Sequence, residues 1–338
     1  MNPVVSVIIP SYNHAQYIEA AIGSVLQQSL RDIELIVIDD GSKDDSRALL
    51  ATIKDPRMQV LLQENRGAHA TINRGLKIAR GKYFAILNSD DEYMPERLEL
   101  AVAELEHKPD AGFVSSWIEL IDGEGVSLGV KRGWENMLPW PAAQPSATLK
   151  ALNVFNLNLL ASNFISTTSN IVMRRELFDE VGEFRNLRFA HDWDFCLRAV
   201  AKRDASLIPK PLMKYRVHGT NTIRQDQTGM IFEVCWVLAA NLPAFRVRLA
   251  LEGSPEQTRE FAIWASNSLW TFGNDRIFIM LSLLTLSDGL SELLEIDNPL
   301  RLRCLDKIRE NTIDAPQIKK EEPKLLKLVR QVFGKKEF

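Results

Sequence analysis

The sequence predicts an α/β fold, a doubly wound and mostly parallel sheet with helices on both faces, followed by a helical C-terminal region. Three observations predict it. Short runs rich in Val, Ile and Leu recur at Val4–Pro10, Ile33–Ile38, Met58–Leu62 and Tyr83–Leu87, and continuous apolar runs of this length read as strands buried in a sheet. The segments between them carry apolar residues at helical spacing, and strands alternating with helices through short links imply parallel strands and right-handed crossovers. Near residues 222–230 the strand-like runs stop and long helical patterns begin. We therefore divide the chain into a unit of residues 1–225 and a helical region of residues 226–338.

Each element has its own reason. The first strand is rich in β-branched residues and is stopped by Pro10. Ala15–Gln28 places Tyr17, Ile18, Ala21, Ile22, Val25 and Leu26 on one helical face. The second strand ends at Asp39, and Asp44-Asp45-Ser46 is expected to cap a helix running to about Ile53. Ala68–Ala79 reads as a helix closed by Gly81, and the fourth strand ends at Asn88. A helix follows Pro95 as far as His107, then a strand over Ala111–Ile121 and a turn at Asp122-Gly123-Glu124-Gly125. Trp134–Pro145 reads as an irregular loop. Ser169–Met173 is expected as a strand, Arg175–Val181 and Asp192–Ala201 as helices, and Leu207–Arg216 as extended chain.

Bulk properties exclude several classes. Of 338 residues, 46% are hydrophobic and 25% charged, as in ordinary globular proteins. A formal net charge of -3 gives no global field that would attract nucleic acid. Cys196, Cys235 and Cys304 are sparse, odd in number and without a C-x-x-C pair, which argues against a disulfide frame or zinc knuckle and for a reducing compartment. The chain opens on strand-forming residues rather than a basic stretch and an apolar signal core, so a cytoplasmic location is expected. The apolar run Ile277–Leu286 falls far short of the roughly 20 residues of a spanning helix.

Four polar clusters carry the candidate chemistry: Asp39-Asp40-Gly41-Ser42, Asn88-Ser89-Asp90-Asp91, His191-Asp192-Trp193-Asp194 and His218-Gly219-Thr220-Asn221. The first two directly follow strands, and in open α/β sheets carboxylates at strand C-termini face the ligand crevice. Asp40 can accept the N3–H of a uracil-like base, or it can be a turn aspartate holding backbone amides. Tyr12 can stack on the same base, or serve as a core aromatic. Adjacent Asp90 and Asp91 repel, and Mg²⁺ or Mn²⁺ relieves that repulsion while bridging to phosphates. The alternative is a solvated turn capping the helix near Met94-Pro95. Asp192, beside Trp193, suits a general base facing a sugar hydroxyl, or a helix N-terminal aspartate meeting the macrodipole. His218 can reach the cation or a phosphate, or be a hydrogen-bonded structural residue.

In order and spacing these segments resemble the family 2 glycosyltransferases, mostly inverting enzymes with a GT-A fold. The likeness lies in Val5-Ser-Val-Ile-Ile-Pro-Ser-Tyr-Asn13, Glu34-Leu-Ile-Val-Ile-Asp-Asp-Gly-Ser42, Asn65-Arg-Gly67, Asn73-Arg-Gly75, Ala79-Arg-Gly-Lys-Tyr83 and Leu87-Asn-Ser-Asp-Asp91. It continues in Asp192-Trp-Asp-Phe-Cys-Leu-Arg198 and Tyr215-Arg-Val-His-Gly-Thr-Asn221, covering roughly residues 3–222. The resemblance implies a nucleotide pocket lined by Pro10, Tyr12, Asp40, Asn65 and Ser89, and a D-x-D-like metal motif at Asn88-Ser89-Asp90. Asp90 would be its main ligand, with Asp91 and His218 in support. It implies Asp192 as catalytic base, with His191 and Trp193 on the acceptor side. It further implies a nucleotide-sugar donor, for which the Asp40–Tyr12 pair suggests a UDP-sugar, and a glycan or lipid-linked acceptor in cell-surface polysaccharide or glycolipid synthesis. Asn88 and His191 depart from the family pattern, in which an acidic residue is usual at both places.

Two rival readings differ in class. A sugar-nucleotide binding protein without turnover would turn Asp192 away from the pocket. A nucleotidyltransferase would want a Gly-rich, basic loop after the first strand, where this chain has Ser11-Tyr12-Asn13-His14. A dinucleotide dehydrogenase fails likewise, for want of a G-x-G-x-x-G there. At the C-terminus Leu325, Leu326, Leu328, Val329, Val332 and Phe333 follow helical spacing among Lys319, Lys320, Lys324, Lys327, Arg330, Lys335 and Lys336. Such a helix can rest on an anionic membrane surface, or pack its apolar stripe internally and leave the lysines solvated.

Overall fold

The β-branched runs form four adjacent parallel strands in the computed structural model, which describes residues 2–137, 155–219, 221, 226–248 and, with breaks, 255–314. These are β1 (Val5–Ser11), β2 (Ile33–Asp40), β3 (Met58–Gln63) and β4 (Tyr83–Ile86), paired in the order β3-β2-β1-β4. Helices α1 (Ile18–Leu26), α2 (Ser46–Thr52) and α3 (Ala68–Ile78) make the crossovers. The sheet continues through β8 (Val172–Arg174), β6 (Ala111–Ile121), β9 (Asp204–Arg216) and the two-residue β5 (Glu92–Tyr93), while β7 (Ser127–Lys131) pairs with β6. Pairings of β8 with β4 and β6, β5 with β9, and β7 with β6 are antiparallel, and β6 with β9 is parallel.

Strand alternation sorts the core into two layers. Val5, Val7 and Ile9 of β1, with Ile33, Leu35 and Val37 of β2, face α1, α2 and α4 (Arg97–His107). Ile8, Ile36 and Ile38 face the other side. There they join α3, α6 (Arg175–Val181) and α7 (His191–Val200), in one cluster that runs on into α8 (Gln227–Arg248), α9 (Asp275–Leu284) and α10 (Pro299–Asp314). The described helices after residue 226 thus share their apolar core with α7.

Several boundaries differ from expectation for physical reasons. Ser169 and Asn170 belong to a 3₁₀ turn, their side chains bonding across to Asn88 just past β4 and to Ser116 of β6, and β8 starts only at Val172. The α2 entry is tied by Asp44, whose Oδ1 accepts from Ser46 N at 3.1 Å, whereas Asp45 makes no side-chain cap. The α3 helix ends at Ile78 with Ala79 as its C-cap, within one residue of the expected end. Residues 138–145 of the expected loop and the basic stretch from Lys319 onward lie outside the described residues. No described helix is long and apolar enough to cross a membrane.

Gly75 lets α3 lie directly on β1. A Cβ there would stand 2.5 Å from Ile8 Cγ2, in a fully buried layer. Alanine gains about 1 kcal/mol of helix propensity. Overpacking costs about 1 to 3 kcal/mol and is at its upper end where three atoms of one side chain crowd the site. Gly75→Ala is therefore expected to lower stability by about 1 to 2 kcal/mol in a urea titration, and an unchanged midpoint would contradict this packing account.

Candidate active site

The loops after β1, β2 and β3 are stitched together at the strand ends. Asn13 stands at φ +53°, its N–H donating to Ser42 Oγ at 3.0 Å and its Oδ1 accepting from Lys43 N at 2.8 Å. Asp40 Oδ1 accepts from Gln63 Nε2 at 2.6 Å and Arg66 N at 2.8 Å, and Oδ2 accepts from Gly67 N at 2.8 Å. Asp40 thus holds backbone amides, and of a carboxylate's roughly four acceptor positions about one is left on Oδ2. Gly41, at φ +83°, passes so close to Asn65 that a Cβ would meet its backbone nitrogen at 2.8 Å. Pro10 sits at the end of β1, Tyr12 beyond it is 41% exposed, and Asn65 is exposed. Ser11 and Asp39 are register partners, and both Ser11 Oγ and Asp39 Oδ2 are buried without a hydrogen-bond partner.

At the end of β4 the four polar residues part company. Asn88 Nδ2 donates to Thr167 Oγ1 at 3.0 Å and Oδ1 accepts from Thr168 Oγ1 at 3.0 Å, so its amide is committed to the 163–170 segment. Ser89 Oγ lies 2.8 Å from His14 Nδ1. Asp91 Oδ2 accepts from Ser169 Oγ at 2.6 Å and Oδ1 from Arg216 N at 3.0 Å. Burial and the neighbouring Asp90 charge push the Asp91 carboxyl well above the usual carboxylate range. Asp90 points elsewhere: its Oδ2 lies 3.0 Å from His218 Nε2 and 3.9 Å from His14 Nε2. Burial works against its charge, yet the His218 hydrogen bond and the two imidazoles hold its carboxyl below the ordinary value.

One ligand atom each from His14, Asp90 and His218 falls within 4.8 Å of the others. Two imidazole nitrogens and a carboxylate oxygen form a donor set that fits a first-row divalent ion. Asp91 is not in this group; its two oxygens are turned to Ser169 and Arg216. Tyr17 walls the cluster, 5.2 Å from the His218 ring and 4.7 Å from the Arg216 guanidinium.

The helix α7 carries Asp192 in its first turn, 5% exposed. Asp192 Oδ2 accepts from Asn163 Nδ2 at 3.2 Å, and Oδ1 from Trp193 N at 2.7 Å. Asn163 Oδ1 in turn accepts from Ser166 N at 3.0 Å, with Ser166 at φ +74°. The segment 163–168 therefore bonds Asp192 at one end and Asn88 at the other. Asn13 and Ser166 are the two non-glycine residues at positive φ among the described residues, and both lie in loops bonded to candidate site residues. Trp193 turns inward, Nε1 donating to Leu159 O at 2.7 Å. His191 Nδ1 is buried without a partner. His69 responds to both sides: burial and His191 lower its imidazole, while Asp40 opposes them. A cleft of about 510 Å³ along α3, lined by Arg66, His69, Arg74, Lys77, Glu183 and Phe184 among others, adjoins this side and contains neither Asp90 nor Asp192.

Four contributors escaped the sequence reading. His14 and Asn163 carry no local signal, since their partners lie far along the chain. Asp39 was read as part of the Asp39-Asp40 strand end but given no role of its own. Glu233 did leave a signal, a lone carboxylate in the apolar run Met230–Phe245, which demands a buried partner. That partner is the backbone leading into α7: Glu233 accepts from Arg188 N at 2.7 Å, Phe189 N at 2.7 Å and Ala190 N at 3.0 Å. Burial still raises its carboxyl above the usual value.

Residues 6–182 match the model of glycosyl transferase family 2. The chain belongs to that family. It is 31% identical over 224 residues to an uncharacterized glycosyltransferase of Rickettsia prowazekii, a match covering 65% of this chain and 66% of that protein. An uncharacterized glycosyltransferase of Haemophilus influenzae is 30% identical over 228 residues, covering 65% of this chain and 67% of that protein. The fold is shared with Staphylococcus aureus TarS 1–349, solved in complex with UDP-GlcNAc: TM-score 0.54, 18% identity, covering 93% of this chain and 92% of that one. This likeness in fold takes in the C-terminal helices as well as the sheet.

Glu233→Ala leaves three amides before α7 without their acceptor. At about 1 to 3 kcal/mol for a buried unmet group, partly relieved by water, the expected loss of stability is about 2 to 4 kcal/mol. Hydrogen exchange at residues 188–190 should quicken with it. Unchanged protection of those three amides would contradict the role given to Glu233.

Proposed function

We propose that this protein transfers a sugar from a nucleotide-diphosphate donor, a UDP-sugar, to an acceptor hydroxyl with inversion at the anomeric carbon. The observation that carries the reading is the 163–168 segment, which ties the carboxylate of Asp192 to Asn88 beside the His14, Asp90 and His218 cluster. A base and a cation-binding group are thereby held on one scaffold at the strand C-termini, where open α/β sheets take ligands. Family membership supports the reaction class. That TarS has been solved with UDP-GlcNAc and with UDP supports the donor class.

In this reading Tyr12 stacks on the uracil ring and the open acceptor position of Asp40 Oδ2 takes its N3–H. The nucleotide lies over the ends of β1 and β2, with Pro10, Asn65 and Ser89 at its borders. Asp192 takes the proton of the acceptor hydroxyl as that oxygen bonds to the anomeric carbon, and the bond from that carbon to the diphosphate oxygen breaks. A single displacement of this kind inverts configuration and needs one base. Asp194 is unsuited to share the task, because Arg185, Arg198 and Asn241 occupy its oxygens. Asn163 orients Asp192, and His191 stands beside the base on the acceptor side. A divalent cation, Mg²⁺ or Mn²⁺, held by Asp90 and His218 would supply positive charge against the departing diphosphate.

Asp192→Asn is expected to keep UDP-sugar binding by calorimetry and to lose transfer or donor hydrolysis by a factor on the order of 10² or more. Near-normal turnover of that variant would sink the assignment of the base. Exhaustive chelation should abolish activity and re-addition of Mn²⁺ or Mg²⁺ restore it; full activity without a cation contradicts the metal-dependent reading. In the same calorimeter, GDP binding much more tightly than UDP would overturn the donor.

A further inference from the structure

We propose that His14 is a third protein ligand of the divalent cation, giving a site of two imidazoles and one carboxylate that favours Mn²⁺ over Mg²⁺. The inference rests on the metal-dependent reading above and adds to it a residue outside the D-x-D-like motif.

The geometry around His14 is that of a held ligand. Nδ1 lies 2.8 Å from the Oγ of Ser89, a residue only 2% exposed. With Nδ1–H donating to Ser89, the lone pair of Nε2 is left facing Asp90 Oδ2. Metal-binding histidines almost always donate their other ring N–H in this way, which fixes tautomer and ring direction. The backbone also serves the placement. Asn13, at φ +53° and bonded through both its N–H and its Oδ1 to the β2 loop, is followed by His14 in the turn before α1, where the His14 carbonyl accepts from Tyr17 N and Ile18 N.

The three ligand atoms, all within 4.8 Å of one another, are close enough to share one ion. In an octahedral shell with bonds of about 2.1 Å, adjacent ligand atoms stand about 3.0 Å apart and opposite ones about 4.2 Å. His218 Nε2 to Asp90 Oδ2 is 3.0 Å, the length of such an edge. His14 Nε2 to Asp90 Oδ2 is 3.9 Å, between an edge and a diameter. The two imidazole rings meet edge to face, with centroids 5.8 Å apart and planes at 87°, so they do not stack against one another. The three donors leave room in a six-fold shell for diphosphate oxygens and water.

The donor set decides the ion. Mg²⁺ prefers oxygen ligands and gives up water reluctantly. Imidazole suits later first-row ions, and each nitrogen in the shell shifts preference away from Mg²⁺. With Asp91 turned away to Ser169 and Arg216, one carboxylate remains, so the site lacks the oxygen-rich character that Mg²⁺ favours.

The test uses the full chain with Mn²⁺ alone, before any nucleotide is added. Titration followed by the electron paramagnetic resonance signal of free Mn²⁺ gives the affinity, and pulsed measurements on bound Mn²⁺ count coupled imidazole nitrogens. Two nitrogens are expected in the wild type and one in His14→Ala, whose Mn²⁺ affinity should fall on the order of 10-fold or more. Competition by Mg²⁺ should become more effective in the variant. The wild-type count does not depend on how the variant folds: Mn²⁺ bound with fewer than two nitrogens overturns the proposal and leaves metal-dependent transfer standing. Unchanged Mn²⁺ affinity in His14→Ala with weakened UDP binding assigns His14 to the diphosphate instead, which also overturns it. Failure of the wild type to bind Mn²⁺ at all, with or without UDP, counts against both readings.

Discussion

Burial of β1, β2 and β4 on both faces governs where polar chemistry can occur in this molecule. Every side chain of β2 and β4 is buried, and β1 is buried but for Pro10. Within those strands a charged group needs an opposite partner at once, as Glu34 has in Ser6 and Arg80. Where the strands end, the chain turns toward solvent and can carry unpaired acceptors. The carboxylates of Asp39, Asp40, Asp90 and Asp91 all stand at or just past such ends. The strand order β3-β2-β1-β4 then sets their arrangement, with the loops after β2 and β4 on either side of the one after β1. His14, in that central loop, touches residues of both neighbours through Asn13 and Ser89.

The adjacent pair Asp90 and Asp91 shows how one sequence feature resolves into two roles. Two carboxylates at one strand end cannot both be charged cheaply in a site with little water. Here the fold turns them apart. Asp91 enters the protein, where Ser169 and the backbone of Arg216 receive it, and where burial with the Asp90 charge favours its protonated form. Asp90 faces the imidazoles and stays in its charged form more readily. The bond from Arg216 N to Asp91 also pins the end of β9, two residues before His218. Asp91 thereby places a histidine that its own carboxylate does not touch.

Legibility followed the range of the interactions. The runs that became β1, β2 and β4 were readable because burial on both faces demands unbroken apolar sequence, a local property, and β3, which has no fully buried side chain, was readable from its short apolar run alone. The antiparallel β8 was readable as extended chain but not in its start or direction, which depend on Ser169 and Asn170 bonding across the sheet. Two-residue β5 exists through its pairing with β9 and leaves no pattern of its own. At the site, the polar clusters were legible as motifs, and Asp90 and His218 are brought together at 3.0 Å. The sorting within motifs was not legible. Nothing local tells Asp39 from Asp40, or sends the Asn88 amide to Thr167 and Thr168 rather than to a ligand.

Glu233 and Asn241 extend the argument beyond the family match, which ends at residue 182. Both project from α8 onto α7. Glu233 gathers the three amides before the helix, and Asn241 bonds Asp194 at 3.1 Å within the helix. A helix N-terminus carries unmet donors and partial positive charge, which draws a carboxylate toward it. Three carboxylates could answer that pull here, Glu233, Asp192 and Asp194, and Asp194 is already taken by Arg185, Arg198 and Asn241. Glu233 meets the amides of residues 188–190, and Asp192 bonds the adjacent amide of Trp193 and the side chain of Asn163. A general base needs a free lone pair more than it needs a negative environment. Helix α8 thus satisfies the backbone leading into α7 from outside, and Asp192 keeps acceptor capacity for a proton.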